Sequence, residues 1–329
     1  MLSGEVQTSA VEGPANTGIP LLGENESHKY LGMQQRLLQE MGGFDNIKKE
    51  FMNRTKILLR SEVTWHQKTM GYRTLAVSKL KYVFLVANEA WSRLQQLLSE
   101  ARQWDKEVRE VLKNEKARFR SSKTSRLYLN GSKGGCGWTS LEFEVESSIV
   151  DVYSYIILHN GMAPVYHYMI AINKRGKRNV ISDGEKILTK YNIQVRLEDD
   201  EAVVETAGYG KERYTDATQL KRRLRRLMED EWQGKLFEEW RTKPLARRIL
   251  RPELDLITSF YWLRKGMLSA VVMRNAIAVQ EGCLNVRAAH WRGEVDDEGK
   301  LCRRCYRAPE TAEHILSQCS HWSKTLYLD

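Results

Sequence analysis

The feature that most constrains the fold is a set of three cysteines and one histidine, spaced Cys302-x2-Cys305-x8-His314-x4-Cys319. Zinc prefers four sulfur and nitrogen ligands in a tetrahedron, and a close cysteine pair supplies two of them from one turn. Three thiolates and one imidazole leave no open coordination position. The spacing therefore predicts one structural Zn²⁺ site, a CCHC zinc knuckle within residues 296–329. The alternative is a pair of free buried thiols near an unrelated histidine.

The other cysteines do not fit this pattern. The chain has five cysteines, an odd number, and three of them lie in the last 28 residues. This distribution favours reduced thiols and a local metal site over a disulfide framework. We expect Cys136 and Cys283 to be small apolar core residues, and His321 to lie outside the ligand set.

Positive charge is concentrated in one part of the sequence. The 52 Lys and Arg residues exceed the 42 Asp and Glu residues, and the net charge of +10 favours a polyanionic partner. Within residues 211–251, 13 basic residues face 7 acidic ones. Leu220, Leu224 and Leu227 form one helical stripe there, which leaves the cations on the remaining surface, where they can contact phosphates. A solvated helix face or a nuclear-import signal are the alternatives. The five cations are Lys221, Arg222, Arg223, Arg225 and Arg226.

The hydrophobic pattern predicts a mainly α (α+β) fold. Apolar residues recur every three or four positions over residues 44–120, for example Tyr72, Leu75, Leu80 and Val83, which indicates a helical bundle. Further helices are predicted at 141–158, from 215, at 255–265 and at 268–282. A hairpin is predicted from two short apolar stretches, 18–22 and 28–33, and residues 160–210 are predicted to be short strands, at 193–195 and 202–204, or a poorly ordered insertion.

Two patterns argue against catalysis by this chain alone. The segment Gly131–Gly137 predicts a turn or a close backbone approach, but it lacks the GK[ST] ending of a phosphate-binding loop. The adjacent Asp pairs Asp199-Asp200 and Asp296-Asp297 lie in acidic, turn-like surroundings, so solvated loops explain them better than a catalytic metal site.

Targeting patterns are also lacking. The first basic residue is Lys29, which does not fit a secretory signal, and the longest apolar runs are far shorter than the roughly 20 residues of a membrane span. The expectation is an intracellular, nuclear protein without a membrane partner.

Several segments together resemble the C-terminal half of non-long-terminal-repeat retrotransposon reverse transcriptases, in the class that ends in a restriction-like endonuclease. Their order and approximate spacing hold across residues 18–329. The zinc-ligand pattern falls where that family carries its CCHC knuckle. The matching segments are His28-Lys-Tyr-Leu-Gly (family YKYLG), Arg126-Leu-Tyr-Leu with Gly134-Gly-Cys-Gly137 (RLYLPR…EGGRGL), Lys243-Pro-Leu (KPLHG), Trp262-Leu-Arg-Lys-Gly (WLRKG) and Leu284-Asn-Val-Arg287 (LNTR).

The resemblance implies an organisation and a partner. It implies nucleic acid, template RNA or target DNA, as the partner, with contacts from Lys29 and Tyr30 of a primer-holding hairpin, from Arg264 and Lys265, and from Arg287. The implied segments are a disordered start and palm-terminal hairpin (1–43), a helical thumb-like bundle (44–125), a Gly-rich junction and mixed segment (126–210), a basic helical linker (211–295) and the zinc knuckle (296–329).

Departures from the family leave several functions open. Cys136 replaces the arginine of EGGRGL, and Ala246-Arg247 replaces His-Gly after Lys-Pro-Leu. The polymerase and endonuclease carboxylates of the family are expected outside this sequence. The first hypothesis is a nucleic-acid-binding fragment without catalysis of its own. The alternatives are a piece of an RNA-directed DNA polymerase completed by an upstream palm-containing chain, a decayed element without selected function, or a protein-interaction scaffold.

Overall fold

A computed structural model describes residues 27–30, 33–36, 44–87, 93–208, 210–242, 246, 249–251, 253–288 and 297–321. The chain divides into two compact units, Met1–Asp45 and Asn46–Asp329. The boundary lies two residues beyond the predicted one, and the four segments predicted after residue 43 lie in the second unit.

The first unit contains a two-stranded antiparallel hairpin. Strand β1 (Ser27–Tyr30) pairs with β2 (Met33–Arg36), with Tyr30 opposite Met33. Residues 28–30, from the second predicted stretch, pair with the polar segment that follows them, and the predicted pairing with 18–22 stays a prediction. Residues 18–22 lie outside the described part of the chain. Only two residues separate the strands, a loop length typical of tight hairpins.

The second unit is mainly helical, as predicted. A π-helical turn, Tyr72–Val77, joins its second and third helices. The helices are α1 (Phe44–Arg60), α2 (Trp65–Gly71), α3 (Ser78–Ala87), α4 (Leu94–Asn114), α5 (Thr124–Tyr128), α6 (Leu141–Leu158), α7 (Ala163–Lys174), α8 (Val180–Lys190), α9 (Ala217–Arg241), α10 (Leu256–Ser259), α11 (Tyr261–Lys265), α12 (Ala270–Gln280) and α13 (Asp297–Lys300).

Helix α6 is the centre of this unit. It packs against α3, α4, α8 and α9, and most of its residues are buried. A helix that is apolar on nearly all sides requires such surroundings. Its two buried carboxylates are paired: Glu146 accepts bonds from Lys190 Nζ (2.6 Å) and the Tyr191 hydroxyl (2.5 Å), and Glu144 pairs with Lys81 and Arg225. These pairs fix neighbouring helices to α6 because an unpaired buried charge would be costly.

Stacked aromatic rings fill the space between α1, α2 and α4. The Tyr72 and Trp138 ring centroids are 4.2 Å apart, and Trp65 stacks on the other side of Trp138 at 5.3 Å. The predicted core residues Tyr72, Leu80 and Val83 are buried, but Leu75 is 63% exposed. Leu75 lies in the π-helical turn, where the wider repeat shifts its side chain out of the 3.6-residue phase.

The segment predicted as strands or a poorly ordered insertion, 160–210, is ordered and half helical. Helices α7 and α8 precede a three-stranded antiparallel sheet of β3 (Ile193–Glu198), β4 (Glu201–Thr206) and β5 (Gly210–Tyr214), in the order β3-β4-β5. The strand prediction was confirmed, and the two helices were missed. Asp199 and Asp200 form the β3–β4 turn with φ of 48° and 64°, as expected for exposed turn residues.

None of the described helices has the length and apolar character needed to cross a membrane.

Asp105 of α4 caps the N-terminus of α6. Its carboxylate accepts hydrogen bonds from the Leu141 backbone N–H (3.0 Å) and the Ser140 hydroxyl (2.9 Å), and the side chain is almost fully buried. Burial raises the pKa of this carboxyl to about 6, although the hydrogen bonds partly offset that effect. The interaction joins helix α4 to helix α6, but it places a carboxylate inside the protein, where its ionised form is unfavourable.

We expect Asp105 to make stability depend on pH. Its folded pKa lies above its ordinary value of 3.8, so protonation favours the folded state. The stabilisation is complete below about pH 4 and is lost as the pH rises through 6, with a size of about 3 kcal/mol. The unfolding free energy of the wild type relative to Asp105→Asn should rise by this amount between pH 8 and pH 4 in urea titrations.

The matched control for this titration is Asp230→Asn, a change of the same chemistry at an exposed position on α9. It should follow the wild-type pH profile. A constant difference between the wild type and Asp105→Asn across the pH range would contradict the proposed origin of the dependence.

Candidate metal centre and cationic surface

The four predicted zinc ligands lie together. One ligand atom from each of Cys302, Cys305, His314 and Cys319 falls within 4.8 Å of the other three. The Cys302 and Cys319 sulfurs are 3.9 Å apart, and Cys305 Sγ is 3.2 Å from His314 Nε2. A tetrahedral ion with bonds of about 2.3 Å to sulfur and 2.0 Å to nitrogen places its ligands about 3.5 to 3.8 Å apart. The cluster could therefore hold one metal ion.

A tight turn presents the two N-terminal cysteines. The Tyr306 N–H donates to the Cys302 carbonyl (2.9 Å), and Tyr306 has a φ of +54°. The Cys302 N–H donates to the Ala308 carbonyl (2.8 Å), beside a β-bridge between Leu301 and Pro309. This backbone arrangement turns both sulfurs toward one point.

The second pair lies at the two ends of a π-helical turn, His314–Gln318: His314 begins it and Cys319 follows it directly. The His314 N–H donates to Thr311 Oγ1 (3.0 Å), and the Cys319 N–H donates to the His314 carbonyl (2.7 Å). Three of the four ligand residues, Cys302, His314 and Cys319, are buried. The ligands thus come from two short segments that have little apolar surface of their own.

Glu310 connects the Cys3His cluster to the residues that precede it in sequence. Its buried carboxylate accepts bonds from the Arg303 guanidinium (2.6 Å) and from the Arg287 backbone N–H (3.1 Å). The Arg303 pairing, opposed by burial, lowers the pKa of Glu310 to about 2. Arg287, predicted as a nucleic-acid contact, also donates from Nη1 to the Leu301 carbonyl (3.4 Å). The structure therefore places Arg287 in the scaffold of the cluster.

The electrostatics at Cys302 favour metal binding. Burial raises the pKa of its thiol, but backbone N–H groups of Cys305 and Arg304 bond to the sulfur and produce a net lowering. The thiolate is the form that binds metals.

The basic helix α9 has the predicted apolar stripe. Leu220, Leu224 and Leu227 are all buried. Asp216 caps the helix by accepting a bond from the Gln219 N–H (2.8 Å). The predicted division between a buried leucine face and an outer cationic surface is confirmed for this part of the helix.

The five cations of α9 divide into two groups. Arg223 pairs with Glu212 (2.6 Å), Arg225 with Glu144 (2.8 Å), and Lys221 lies 3.2 Å from Asp151. Arg222 and Arg226 are exposed and form no ion pair with any described residue. Acidic partners thus compensate three of the five charges, and two of these partners, Asp151 and Glu144, are far away in sequence.

Arg225 and Arg264 meet at one cleft. The cleft is bordered by α2, α6, α9 and α11, and Arg73 and Trp232 also line it. Arg264 lies over the Tyr261 ring at 5.9 Å, and its buried Nε has no hydrogen-bond partner among the described residues. Lys265 is exposed beside it. Two cations that are 39 positions apart in sequence therefore share one surface recess.

The structure describes only some of the other residues that the sequence predicts to be functional. Lys29 and Tyr30 lie in β1 of the first unit, and the conformation of their side chains is not described. Lys243-Pro-Leu and Arg247 lie outside the described residues, as does Asp296. Cys136 and Cys283 are buried, as predicted, and His321 is exposed and is not part of the ligand cluster.

Sequence reasoning missed the contacts of Glu310 and Asp105. Glu310 stands four residues before a ligand histidine, but nothing in the sequence pairs it with Arg303 and Arg287. Asp105 lies on the apolar face of α4, between Trp104 and Val108. A carboxylate in that position was the feature of the sequence that could have indicated a buried hydrogen-bonded group.

Comparison with known proteins identifies no family. No protein-family model matches the chain, and no curated protein matches it significantly.

Proposed function

We propose that this chain is a nucleic-acid-binding part of a retrotransposon reverse transcriptase, with structural Zn²⁺ at the Cys3His cluster. The observation that carries the proposal is the convergence of Cys302, Cys305, His314 and Cys319 on one point. The ligand pattern and the family-like segments identify the same knuckle independently. In this role the protein binds polymers through their phosphates and does not transform them.

The donor set favours zinc over other ions. Three thiolates and one imidazole are soft and borderline ligands, whereas Mg²⁺ and Ca²⁺ take oxygen ligands. Four protein ligands close the coordination sphere, which is typical of structural zinc sites. Zinc would hold the knuckle together, and the exposed residues around it would be available to a partner.

Uncompensated cations supply the electrostatic part of the proposal. Arg222 and Arg226 are exposed and unpaired among the described residues, and Arg307 of the knuckle is exposed as well. The cleft that contains Arg73 and Arg264, together with the Arg225–Glu144 ion pair, adds a recess with a partly exposed tryptophan, Trp232. Cations beside aromatic rings suit the backbone and the bases of a single strand.

The test is the salt dependence of binding to RNA and to duplex DNA. Each phosphate contact contributes roughly 0.7 to 0.9 to the slope of log K against log salt concentration. The double variant Arg222→Gln/Arg226→Gln should therefore lower the slope by about 2 and weaken binding to all sequences similarly. Fluorescence anisotropy at several salt concentrations measures both effects.

The matched control removes two exposed cations from the three-stranded sheet, Arg196→Gln/Arg213→Gln. Arg213 is already paired with Glu198 and Glu201, each at 3.2 Å, so little phosphate contact should be lost. Affinity that does not respond to salt, or equal slopes for the wild type and the α9 variant, would overturn the proposal.

A further inference from the structure

The cleft bordered by α2, α6, α9 and α11 is large enough to hold a ligand. Its volume is about 310 Å³, and it opens to solvent. Ligand sites in proteins begin at about 300 Å³, so the cleft has room for one nucleobase. We name it the Trp232 cleft, after the half-buried tryptophan that α9 contributes to its wall.

Trp232 offers an aromatic surface that is held in one orientation. Its ring is stacked on Phe143, with the centroids 4.4 Å apart and the planes inclined by 10°. Because Trp232 is only half-buried and lines the cleft, part of its indole remains accessible to a ligand. Aromatic rings stack with nucleobases, and a ring that is already oriented loses little freedom when it does so.

A carboxylate lies beside this ring. Glu229 precedes Trp232 by three positions on α9, so the two side chains are neighbours on one face of the helix, and both line the cleft. Glu229 is exposed and forms no ion pair with a described residue. An ionised carboxylate can only accept hydrogen bonds. A base that stacks on Trp232 would therefore meet an acceptor at its edge.

Two cations stand on other walls of the cleft. Arg73 belongs to the π-helical turn after α2 and Arg264 belongs to α11, and neither forms an ion pair with a described residue. The third arginine of the cleft, Arg225, is already compensated by Glu144. Two cations against Glu229 leave one positive charge, which matches the single negative charge of an internal phosphate in a strand.

We propose that the Trp232 cleft binds an unpaired guanine nucleotide of a single strand. Guanine is the base whose pairing edge carries two adjacent donors, N1–H and the 2-amino group, which suit the two oxygens of one carboxylate. Uracil presents one N–H between two carbonyl oxygens, which a carboxylate repels. Unpaired bases are recognised by stacking and by hydrogen bonds to their pairing edges. The inference rests on the proposed nucleic-acid binding and adds a preference for one base.

The experiment compares two single-stranded oligouridine RNAs, one with a central guanosine and the other with a central inosine. Inosine keeps N1–H and lacks only the 2-amino group. The full chain should bind the guanosine strand about tenfold more tightly, since a hydrogen bond to a charged group is worth about that factor. Annealing a complementary strand should remove the difference, because the pairing edge is then occupied. Fluorescence anisotropy measures all four affinities.

Glu229→Ala removes the acceptor from an exposed helical position. It should bind both single strands with equal affinity, and somewhat more tightly than the wild type binds the inosine strand, because a negative charge is lost. Asp230→Ala is the matched control, since Asp230 is the next residue of α9, is also exposed and does not line the cleft. It should strengthen binding of both strands similarly and keep the preference for guanosine.

Equal affinity of the wild type for the guanosine and inosine strands would overturn the inference while leaving the proposed function standing, because both strands would still bind. A preference that Glu229→Ala retains, or that Asp230→Ala also removes, would overturn it as well. Failure of the proposed function has a different signature, weak binding of both strands that does not respond to salt, and it would overturn both.

Guanosine monophosphate separates a strand from a free nucleotide as the ligand. At constant ionic strength and in large excess over the oligonucleotide, it should remove the difference between the two strands by occupying the cleft. If instead it raises the melting temperature of the wild type and not of Glu229→Ala, while the two strands bind equally, the cleft takes the free nucleotide and the single-strand proposal is wrong.

Discussion

Removing the metal should unfold residues 297–321 while the helical core stays folded. Zinc binding contributes on the order of 10 kcal/mol to the folding of small knuckle modules. A segment of this length cannot bury enough apolar surface to replace that contribution. Treatment with a strong chelator, or the substitution Cys305→Ser, should reduce zinc from one ion per chain to none.

Hydrogen exchange locates the effect. The amides of Cys302, Tyr306 and Cys319 donate to carbonyls within the knuckle and should lose their protection without metal. Amides in the buried helix α6 should keep theirs, because α6 packs against the helices α3, α4, α8 and α9.

Cys283→Ser is the matched control for Cys305→Ser. Cys283 is buried, and its sulfur is not part of the ligand cluster. This variant should retain one zinc ion per chain and normal protection in residues 297–321. A purified wild type with no stoichiometric metal, or unchanged exchange in chelator, would contradict the metal site.

The Cys3His cluster could be predicted from the sequence because its geometry is local. All four lie within 18 residues, so the spacing alone limits how the chain can bring them together. The leucine stripe of α9 was predicted for the same reason, since its 3.6-residue period is independent of the rest of the fold.

Two ionic partners of α9, Asp151 and Glu144, could not be predicted because they are distant in sequence. Glu144 lies 81 residues from Arg225 and is brought to it only when α6 packs against α9. Among the five cations, Arg222 and Arg226 are the two without an ion pair to a described residue. The contact between Arg126 and Gln280 was missed for the same reason, since the two residues are 154 positions apart.

Helices α7 and α8 were missed for different reasons. The sequence of helix α7 lacks an amphipathic pattern, and in the structure none of its residues is buried. Helix α8 has a usable signal at its start: Asn179 and Ser182 form a capping box. The Gly and Asn residues around α8 indicated turns. The sequence analysis therefore predicted strands or a poorly ordered insertion, although the capping box indicated the start of a helix.

Replacing Gly135 with alanine should be among the most destabilising single changes in the chain. An alanine Cβ there would lie 1.9 Å from the Leu129 carbonyl oxygen and 2.3 Å from its carbon. This clash can be removed only if the Gly-rich segment 131–138 moves away from Leu129. Such a movement would break the backbone hydrogen bonds, 2.9 to 3.0 Å long, that join this segment to the Arg126, Leu127 and Leu129 carbonyls. The expected loss is about 4 kcal/mol or more, within the range of the most severe core substitutions.

Gly137→Ala is the control, two residues away in the same junction. Gly137 has a φ of +68°, and no atom lies within 4 Å of the added Cβ, so only the left-handed backbone is penalised. Its expected cost is about 1 kcal/mol. Urea unfolding of both variants measures the difference. Equal destabilisation would mean that the close approach of Gly135 to Leu129 does not limit this position. A large difference would show that position 135 needs glycine because there is no space for a Cβ. The neighbouring Gly134 carbonyl, which accepts a hydrogen bond from Arg126, is held in place by the same segment.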